Sequence, residues 1–296
     1  MKQIGLIGVG LMGLGIASNL LKHGHALALL EHVGNQPLDA LRAGGATSYA
    51  TATELAQHSD IIILCVTGTP QVEAVLLGET GVLQGLQPGS IVIDCSTTVP
   101  ASTERMAAAV QAQGGQFLDA PMTRTPKEAA EGRLNLLVGG DATLFAQCRP
   151  LLACFAENIV HVGPVGAGHR MKLLHNYVSL GSVTLLAEAA ACAQRAGVNP
   201  QTFVDVLTMG GGWGAALERL KPYLANGDTS GLRFSLSNAL KDLSYYNAMA
   251  QDMPAHHTVA DAVQHTLEQA CAQGDPNALL PELVSLLAVR TSGESP

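Results

Sequence analysis

Apolar and polar positions in the first half of the chain alternate between short continuous apolar runs and longer stretches with helical spacing. Gln3–Ile7, Ala26–Leu30, Ile61–Val66, Ile91–Asp94 and Gln116–Leu118 are runs of the first kind. The run IIILCV at 61–66 has no polar face, as a parallel strand covered by helices on both sides requires. Between the runs, Leu11–His23 repeats apolar residues at three- and four-residue steps and stops at Gly24, a residue suited to a helix C-cap. Pro37–Ala43 and Thr53–Gln57 predict two short helices, the second capped by Thr51 or Thr53. Leu134–Val138 and Ile159–Val162 continue the strand pattern. Strands alternating with helices predict an α/β fold built on a doubly wound parallel sheet.

The pattern changes after GPVGAG at 163–168. From His169 to Ala196 there is no proline, and Gly197 ends the segment. As one helix it would span roughly 40 Å. The remainder reads as helices joined by polar loops (GVNP at 197–200, NGDTSG at 226–231, QGDP at 273–276) without strand alternation. The expected division is an α/β domain over 1–164 and an all-α C-terminal domain over 165–296, entered by the long helix. The polar tail Thr291–Pro296 reads as a frayed end.

Composition narrows the function classes. The 296 residues carry 16 basic and 24 acidic side chains, a net charge of −8, which excludes nucleic acid or an anionic membrane as the main partner. Charged residues are only 14% and apolar ones 47%, so large buried surfaces are expected, subunit contacts included; a homodimer or homotetramer follows. Six cysteines lack C-x-x-C or zinc-type spacing and read as reduced thiols of a cytoplasmic protein with no metal. The apolar stretch after Lys2 superficially resembles a secretory leader, but its glycine spacing explains it better and no clear A-x-A cleavage site follows. Leu173–Ala193 contains His175, Asn176 and Glu188, too polar for a bare membrane span.

Gly8-Val9-Gly10-Leu11-Met12-Gly13 is G-x-G-x-x-G, placed after a predicted strand and opening a predicted helix, the context a Rossmann-type dinucleotide site requires. Gly8 permits the tight turn, Gly10 lets the backbone approach a pyrophosphate, and Gly13 lets helix and strand pack closely. The free N–H groups of the helix start then face the phosphates, with Leu11 and Met12 lining the loop. Glu31 ends the second strand 18 residues after Gly13 and suits the ribose hydroxyls. No Arg follows it directly, so NAD is expected rather than NADP. Val66, at the end of the third long run, reads as a further cofactor contact.

Lys172 and Asn176 are i and i+4 at the head of the long helix and share one face. An amine and an amide beside a nicotinamide suit carbonyl reduction: the amine donates a proton to the developing alkoxide, and the amide positions it. Asp94-Cys95-Ser96-Thr97-Thr98 ends a predicted strand, where ligands gather in open parallel sheets.

Segments spread through the chain resemble the β-hydroxyacid dehydrogenase family, which includes 3-hydroxyisobutyrate dehydrogenase and several semialdehyde reductases. They are IGLIGVGLMGLGIASNLL at 4–21, IDCST at 93–97, DAPMT at 119–123, LVGGD at 137–141, GAGHRMKLLHN at 166–176 and ALKDL at 239–243. The resemblance implies that Lys172 is the catalytic lysine and Asn176 its helper. It implies that Thr97 contacts cofactor and substrate, that Ser96 and Thr123 lie on the substrate side, and that Lys241 and Asp242 face cofactor and substrate. Phe234 resembles an aromatic at the pocket rim. His175 reads as structural; His169 and the pair His256–His257 lack convergent partners and read as surface or capping residues.

One stretch departs from the family. Where Gly-Gly usually follows DAP-x-[ST], this chain has Arg124-Thr125. That resembles the 3-sulfolactaldehyde reductase branch, as do Arg170, Leu173 and Tyr177 around the lysine, although Thr123 and His175 differ from it. An Arg124 fork, with Thr123 and Thr125, would suit a sulfonate or carboxylate. The expected activity is therefore NAD-dependent hydride transfer between a small anionic aldehyde and its hydroxy acid: the 3-hydroxyisobutyrate, tartronate semialdehyde, succinic semialdehyde or 3-sulfolactaldehyde class. The rivals are a non-catalytic dinucleotide sensor or scaffold, against which the intact Lys172/Asn176 pair argues, and a 6-phosphogluconate-like or imine-reducing relative.

Overall fold

The computed structural model describes residues 2–289; the expected frayed end at 291–296 lies outside them. The described residues pack as two compact units that divide between Lys172 and Leu173.

In the first unit the order is β1 (Gln3–Ile7), α1 (Leu11–Lys22), β2 (Ala26–Leu30), α2 (Asp39–Ala43), β3 (Thr47–Tyr49), α3 (Ala52–Gln57), β4 (Ile61–Leu64), α4 (Thr69–Leu77), β5 (Ile91–Asp94), α5 (Pro100–Ala112) and β6 (Gln116–Asp119). Then come β7 (Met122–Thr123), α6 (Pro126–Ala130), β8 (Leu134–Gly139), α7 (Ala142–Leu152), β9 (Ala156–Gly163) and α8 (Ala167–Arg195), which runs on into the second unit. The strands form one sheet ordered β3-β2-β1-β4-β5-β6-β8-β7, with β9 also on β8. Pairing is parallel from β3 to β6. β8 then runs antiparallel to β6 and β7, while β9 is parallel to β8.

The long apolar runs become the central strands because both their faces are covered. Ile61, Ile63, Ile91 and Ile93 pack on one side with Ile16 and Leu20 of α1 and Leu152 of α7. Ile62, Leu64, Val92 and Phe117 pack on the other with Leu55, Val72, Met106 and Val110. The sequence does not announce β3 and β7, whose two or three partly polar residues follow from their neighbours' register. The side chain of Asn19 on α1 donates to the Ala129 carbonyl at 2.9 Å, which seats α6 against α1.

The second unit is helical after α8: α9 (Pro200–Met209), α10 (Ala215–Asn226), α11 (Leu236–Asp252), α12 (Thr258–Gln273) and α13 (Leu283–Ala288). Caps fall where sequence chemistry puts them: Asn199 accepts from the amides of Gln201 and Thr202, and Gly227 closes α10 in the left-handed region. Its core joins Leu180, Val183 and Ala187 of α8 to Leu220, Leu236, Leu243 and Leu267. Only an isolated Ser235–Leu279 bridge is β-like there among the described residues. No described helix is long and apolar enough to cross a membrane.

Candidate functional site

The glycine loop has the form the sequence predicts. Gly8 sits at φ 95°, and a Cβ there would lie 2.2 Å from the Cys65 carbonyl oxygen. At Gly13 the same atom would meet the Gly8 carbonyl oxygen at 2.0 Å. Gly10 differs: a Cβ would meet nothing within 4 Å. Its backbone, at φ −77° and ψ −160°, suits any residue. No atom of the described residues explains a glycine at that position, whereas a ligand drawn close to the backbone would. The loop therefore fits a dinucleotide pyrophosphate. Leu11 is exposed at the helix start and Met12 half-buried.

The end of β2 holds residues that sequence spacing did not bring together. Glu31 Oε1 accepts a hydrogen bond from Arg42 at 2.7 Å, and Arg42 also donates to Ser48 Oγ at 3.3 Å. Arg42 lies eleven residues on, at the end of α2, so the absence of an arginine directly after Glu31 does not leave the carboxylate without a cation. Asn35 uses both ends of its amide here. Its Oδ1 accepts from the Val9 amide at 3.1 Å, and its Nδ2 donates to the Leu30 carbonyl at 2.9 Å. This ties the glycine loop to the strand end that carries Glu31.

The ends of β4 and β5 are likewise tied. The Val66 amide donates to Ser96 Oγ at 3.0 Å, and the Ser96 amide donates to Asp94 Oδ1 at 2.9 Å. Thr97 beside them is half-buried. Burial pushes the Cys65 thiol up to about 12, with the Asp94 carboxylate adding to the shift. All six cysteines are free thiols; Cys95, Cys148 and Cys154 are buried and Cys192 is exposed.

The expectation that His169 is a surface residue is corrected. The ring is wholly buried, with Nε2 3.1 Å from the Ser96 carbonyl oxygen. Nδ1 lies 3.0 Å from Thr98 Oγ1 and 2.8 Å from Thr103 Oγ1. Its own amide donates to Asp119 Oδ2 at 2.9 Å, and the Gly166 amide donates to Asp119 Oδ1 at 2.8 Å, so Asp119 caps α8. Gly168 allows this approach, since a Cβ would lie 2.4 Å from the Leu137 carbonyl oxygen. Asp94, also buried, has a raised pKa: burial is the main cause and Asp119 adds to it, against the pull of His169 and Ser96. Of the paired histidines, His257 has its Nδ1 2.8 Å from Asp261 Oδ2, one turn along α12.

At the loop expected on the substrate side, Thr123 is buried and its hydroxyl accepts from Asn135 Nδ2 at 3.0 Å. Thr125 is the N-cap of α6, in a capping box with Glu128. That hydrogen bonding holds the Glu128 carboxyl below its usual range. Arg124 occupies the left-handed region at φ 81°, a conformation that favours glycine. Its guanidinium is already engaged, donating to the Glu157 carboxylate and the Arg133 carbonyl. A free fork, as read from the sequence, is not what the structure holds.

On α8, Lys172 is buried at 9% exposure and Asn176 follows one turn later on the same face. Within the second unit, Asn176 Nδ2 donates to Asp242 Oδ2 at 2.6 Å, and Asp242 Oδ1 lies 3.2 Å from Lys241 Nζ. Both Asn176 and Asp242 are buried. His175 Nδ1 is 3.0 Å from Asn176 Oδ1, so the neighbour read as structural touches the Asn176 amide. Lys241 Nζ lies 5.6 Å from the Tyr245 ring centroid. Phe234 is half-buried against the helical core of this unit. Among the described residues no three His, Cys, Asp or Glu side chains are grouped to hold a metal ion.

Residues 3–163, more than half of the chain, match the NAD binding domain of 6-phosphogluconate dehydrogenase, and residues 166–287 match a second family, described as NAD-binding of NADP-dependent 3-hydroxyisobutyrate dehydrogenase. The chain belongs to the β-hydroxyacid dehydrogenase family. As a family member it is an oxidoreductase acting on CH–OH groups, with an NAD(P)-binding domain. It is 35% identical to an NAD-dependent L-serine dehydrogenase of Pseudomonas aeruginosa over 75% of this chain and 74% of that one. It is 37% identical to a 2-hydroxy-3-oxopropionate reductase of Escherichia coli over 71% of this chain and 70% of that one. Among solved structures, a 3-hydroxyisobutyrate dehydrogenase of Mycobacterium tuberculosis with L-serine superimposes with a TM-score of 0.87 at 26% identity, covering 98% of this chain and 100% of that one.

Proposed function

We propose that this β-hydroxyacid dehydrogenase interconverts a small anionic aldehyde or semialdehyde and its hydroxy acid, with Lys172 as the acid in reduction and the base in oxidation. The observation that carries the reading is the buried Lys172 one turn ahead of an Asn176 whose amide is locked by Asp242. Bound NAD(H) supplies or accepts the hydride. Lys172 Nζ gives a proton to the carbonyl oxygen as it becomes an alkoxide, and takes it back in the oxidative direction. Asn176 orients the amine and the reacting oxygen. Gly8, Gly10 and Gly13, with Leu11, Met12, Val66, Thr97 and Lys241, hold the cofactor, and Glu31 favours NAD through the ribose hydroxyls.

Ser96, Thr97 and Thr123 offer hydroxyls to the substrate, and Phe234 and Asp242 are assigned to it on the family resemblance alone. Thr125 serves through its helix cap, which sets the course of the chain past Thr123. Arg124 Nη1 is taken by Glu157 and the Arg133 carbonyl, so a substrate anion would share the guanidinium with that carboxylate, which weakens the feature that singled out a sulfonate. The relatives' names point to L-serine, 2-hydroxy-3-oxopropionate and 3-hydroxyisobutyrate, all small acids. A homodimer or homotetramer in the cytoplasm remains our reading of the apolar composition. The test is Lys172→Ala with NADH and a panel of semialdehydes, followed at 340 nm. Turnover should fall by at least about 10²-fold while NADH binding persists; near-normal turnover would move the proton donor elsewhere, with His175 the first suspect.

A further inference from the structure

We propose that His169 is a positioning residue for the reaction: it bolts the first turn of α8, and with it Lys172, to the Ser96–Thr98 segment after β5. This rests on the reading of Lys172 as the proton donor. The ring is fully buried, yet every one of its polar atoms is used. A carbonyl oxygen only accepts, so the 3.1 Å contact of Nε2 with the Ser96 carbonyl assigns the proton to Nε2. Nδ1 then accepts from the hydroxyl of Thr98 or Thr103, at 3.0 and 2.8 Å. Thr103 belongs to α5, and the His169 amide donates to Asp119 at the end of β6.

One residue thus joins α8 to the β5 loop, to α5 and to β6. Ser96 passes the restraint on, because its hydroxyl accepts from the Val66 amide after β4. Lys172 follows His169 by three residues and lies on a neighbouring helical position, so a tilt of the first turn moves its amine directly. A displacement of about 1 Å at a reacting group costs roughly 10²-fold in rate, whereas binding of the remote parts of a cofactor is unaffected by it.

A histidine that merely filled the core would lower stability and leave turnover alone. The discriminating variants are His169→Leu, which keeps the volume but cannot donate to Ser96, and His169→Gln, whose Nε2 can. Folding is checked by circular dichroism and Tm, NADH affinity by fluorescence titration, and kcat and KM at 340 nm. His169→Leu should lower kcat by roughly tenfold to a hundredfold, with NADH affinity and KM within about threefold of the parent, and His169→Gln should recover most of the loss. Should His169→Leu not fold, His169→Asn, too short to reach the Ser96 carbonyl, takes its place with the same expectation.

In a double mutant with Lys172→Ala, the His169→Leu loss should vanish, because the group it positions is gone. Losses that multiply would overturn the proposal. A crippled Lys172→Ala beside a fully active His169→Leu would overturn the His169 proposal alone. Near-full activity of Lys172→Ala would overturn the lysine reading and this proposal with it.

Discussion

A methyl group on Gly13 would sit 2.0 Å from the carbonyl oxygen of Gly8, whereas one on Gly10 would touch nothing within 4 Å. Two glycines of one motif are therefore present for different reasons, one demanded by the chain's own packing and one reserved for a ligand. Gly13→Ala should cost about 3 kcal/mol or more in urea unfolding, because the obstructing atom is backbone and cannot step aside. Gly10→Ala should leave stability within about 1 kcal/mol, or raise it slightly by restricting the unfolded chain. Its NADH affinity should nevertheless fall by at least about tenfold, or about 1.4 kcal/mol. Undiminished NADH binding by Gly10→Ala would show that the loop does not cradle the pyrophosphate.

The same contrast marks what sequence could and could not reveal. Glycine spacing is a local constraint, and IIIL at 61–64 reports burial on both faces without knowledge of its partners; both were legible. The helix expected over 169–196 runs from Ala167 to Arg195 because nothing within it breaks the pattern and glycines flank it. Short partly polar strands such as Thr47–Tyr49 carry no such signal, since register with a neighbour creates them. The same holds for the site's polar partners. Arg42 meets Glu31 across eleven residues, Asp242 meets Asn176 across 66, and His169 meets Ser96 across 73. The reversal of β8 against β6, which no strand pattern encodes, puts Asn135 opposite Thr123.

Glu31 and Arg42 together set the expected cofactor preference. The carboxylate faces ribose hydroxyls well and a 2′-phosphate badly. Its partner is half-exposed, so the pair adds little to stability, and its importance is electrostatic. kcat/KM should favour NADH over NADPH. Glu31→Gln should raise NADPH use by about tenfold, near 1.4 kcal/mol, by removing the negative charge and releasing Arg42 toward the phosphate. Adding Arg42→Ala should cancel that gain. A parent enzyme with a tenfold preference for NADPH would defeat the assignment.

Asp94 gives stability a pH dependence of known sign. Its carboxyl is buried, its Oδ2 accepts no hydrogen bond, and burial raises its pKa above the ordinary carboxylate value of 3.8, with Asp119 adding to the rise. A raised pKa means that the folded protein holds this proton more firmly than the unfolded chain does. The stability it contributes is complete below the unfolded value and is lost as pH rises through the folded one. Asn cannot ionise, so Asp94→Asn should gain on the parent from pH 4 to pH 8, by about 1.4 kcal/mol for each unit of raising. Urea unfolding at both pH values measures this. A difference that shrinks as pH rises would mean that the hydrogen bonds from Ser96 hold Asp94 charged more strongly than burial opposes it.

Arg124 tests whether its side chain serves the substrate or the fold. At φ 81° a non-glycine residue pays roughly 1–2 kcal/mol. The compensating ion pair with Glu157 is partly exposed, with a value of about 0–1 kcal/mol. Arg124→Gly should therefore leave stability unchanged or slightly higher. The guanidinium charge is already balanced by Glu157 at Nη1, so a second anion would be held by a cation that is shared with that carboxylate. Arg124→Gly should accordingly keep kcat/KM for anionic aldehydes within about tenfold of the parent, or about 1.4 kcal/mol. The substrate panel decides between the two roles. A loss of about 2–4 kcal/mol confined to anionic substrates, with neutral aldehydes untouched, would mean that Arg124 abandons Glu157 when the substrate binds. In that case Glu157→Gln should lower KM for the same anions, since it frees the fork in advance. If Glu157→Gln and Arg124→Gly both leave anionic and neutral substrates alike, the Arg124–Glu157 pair belongs to the fold alone.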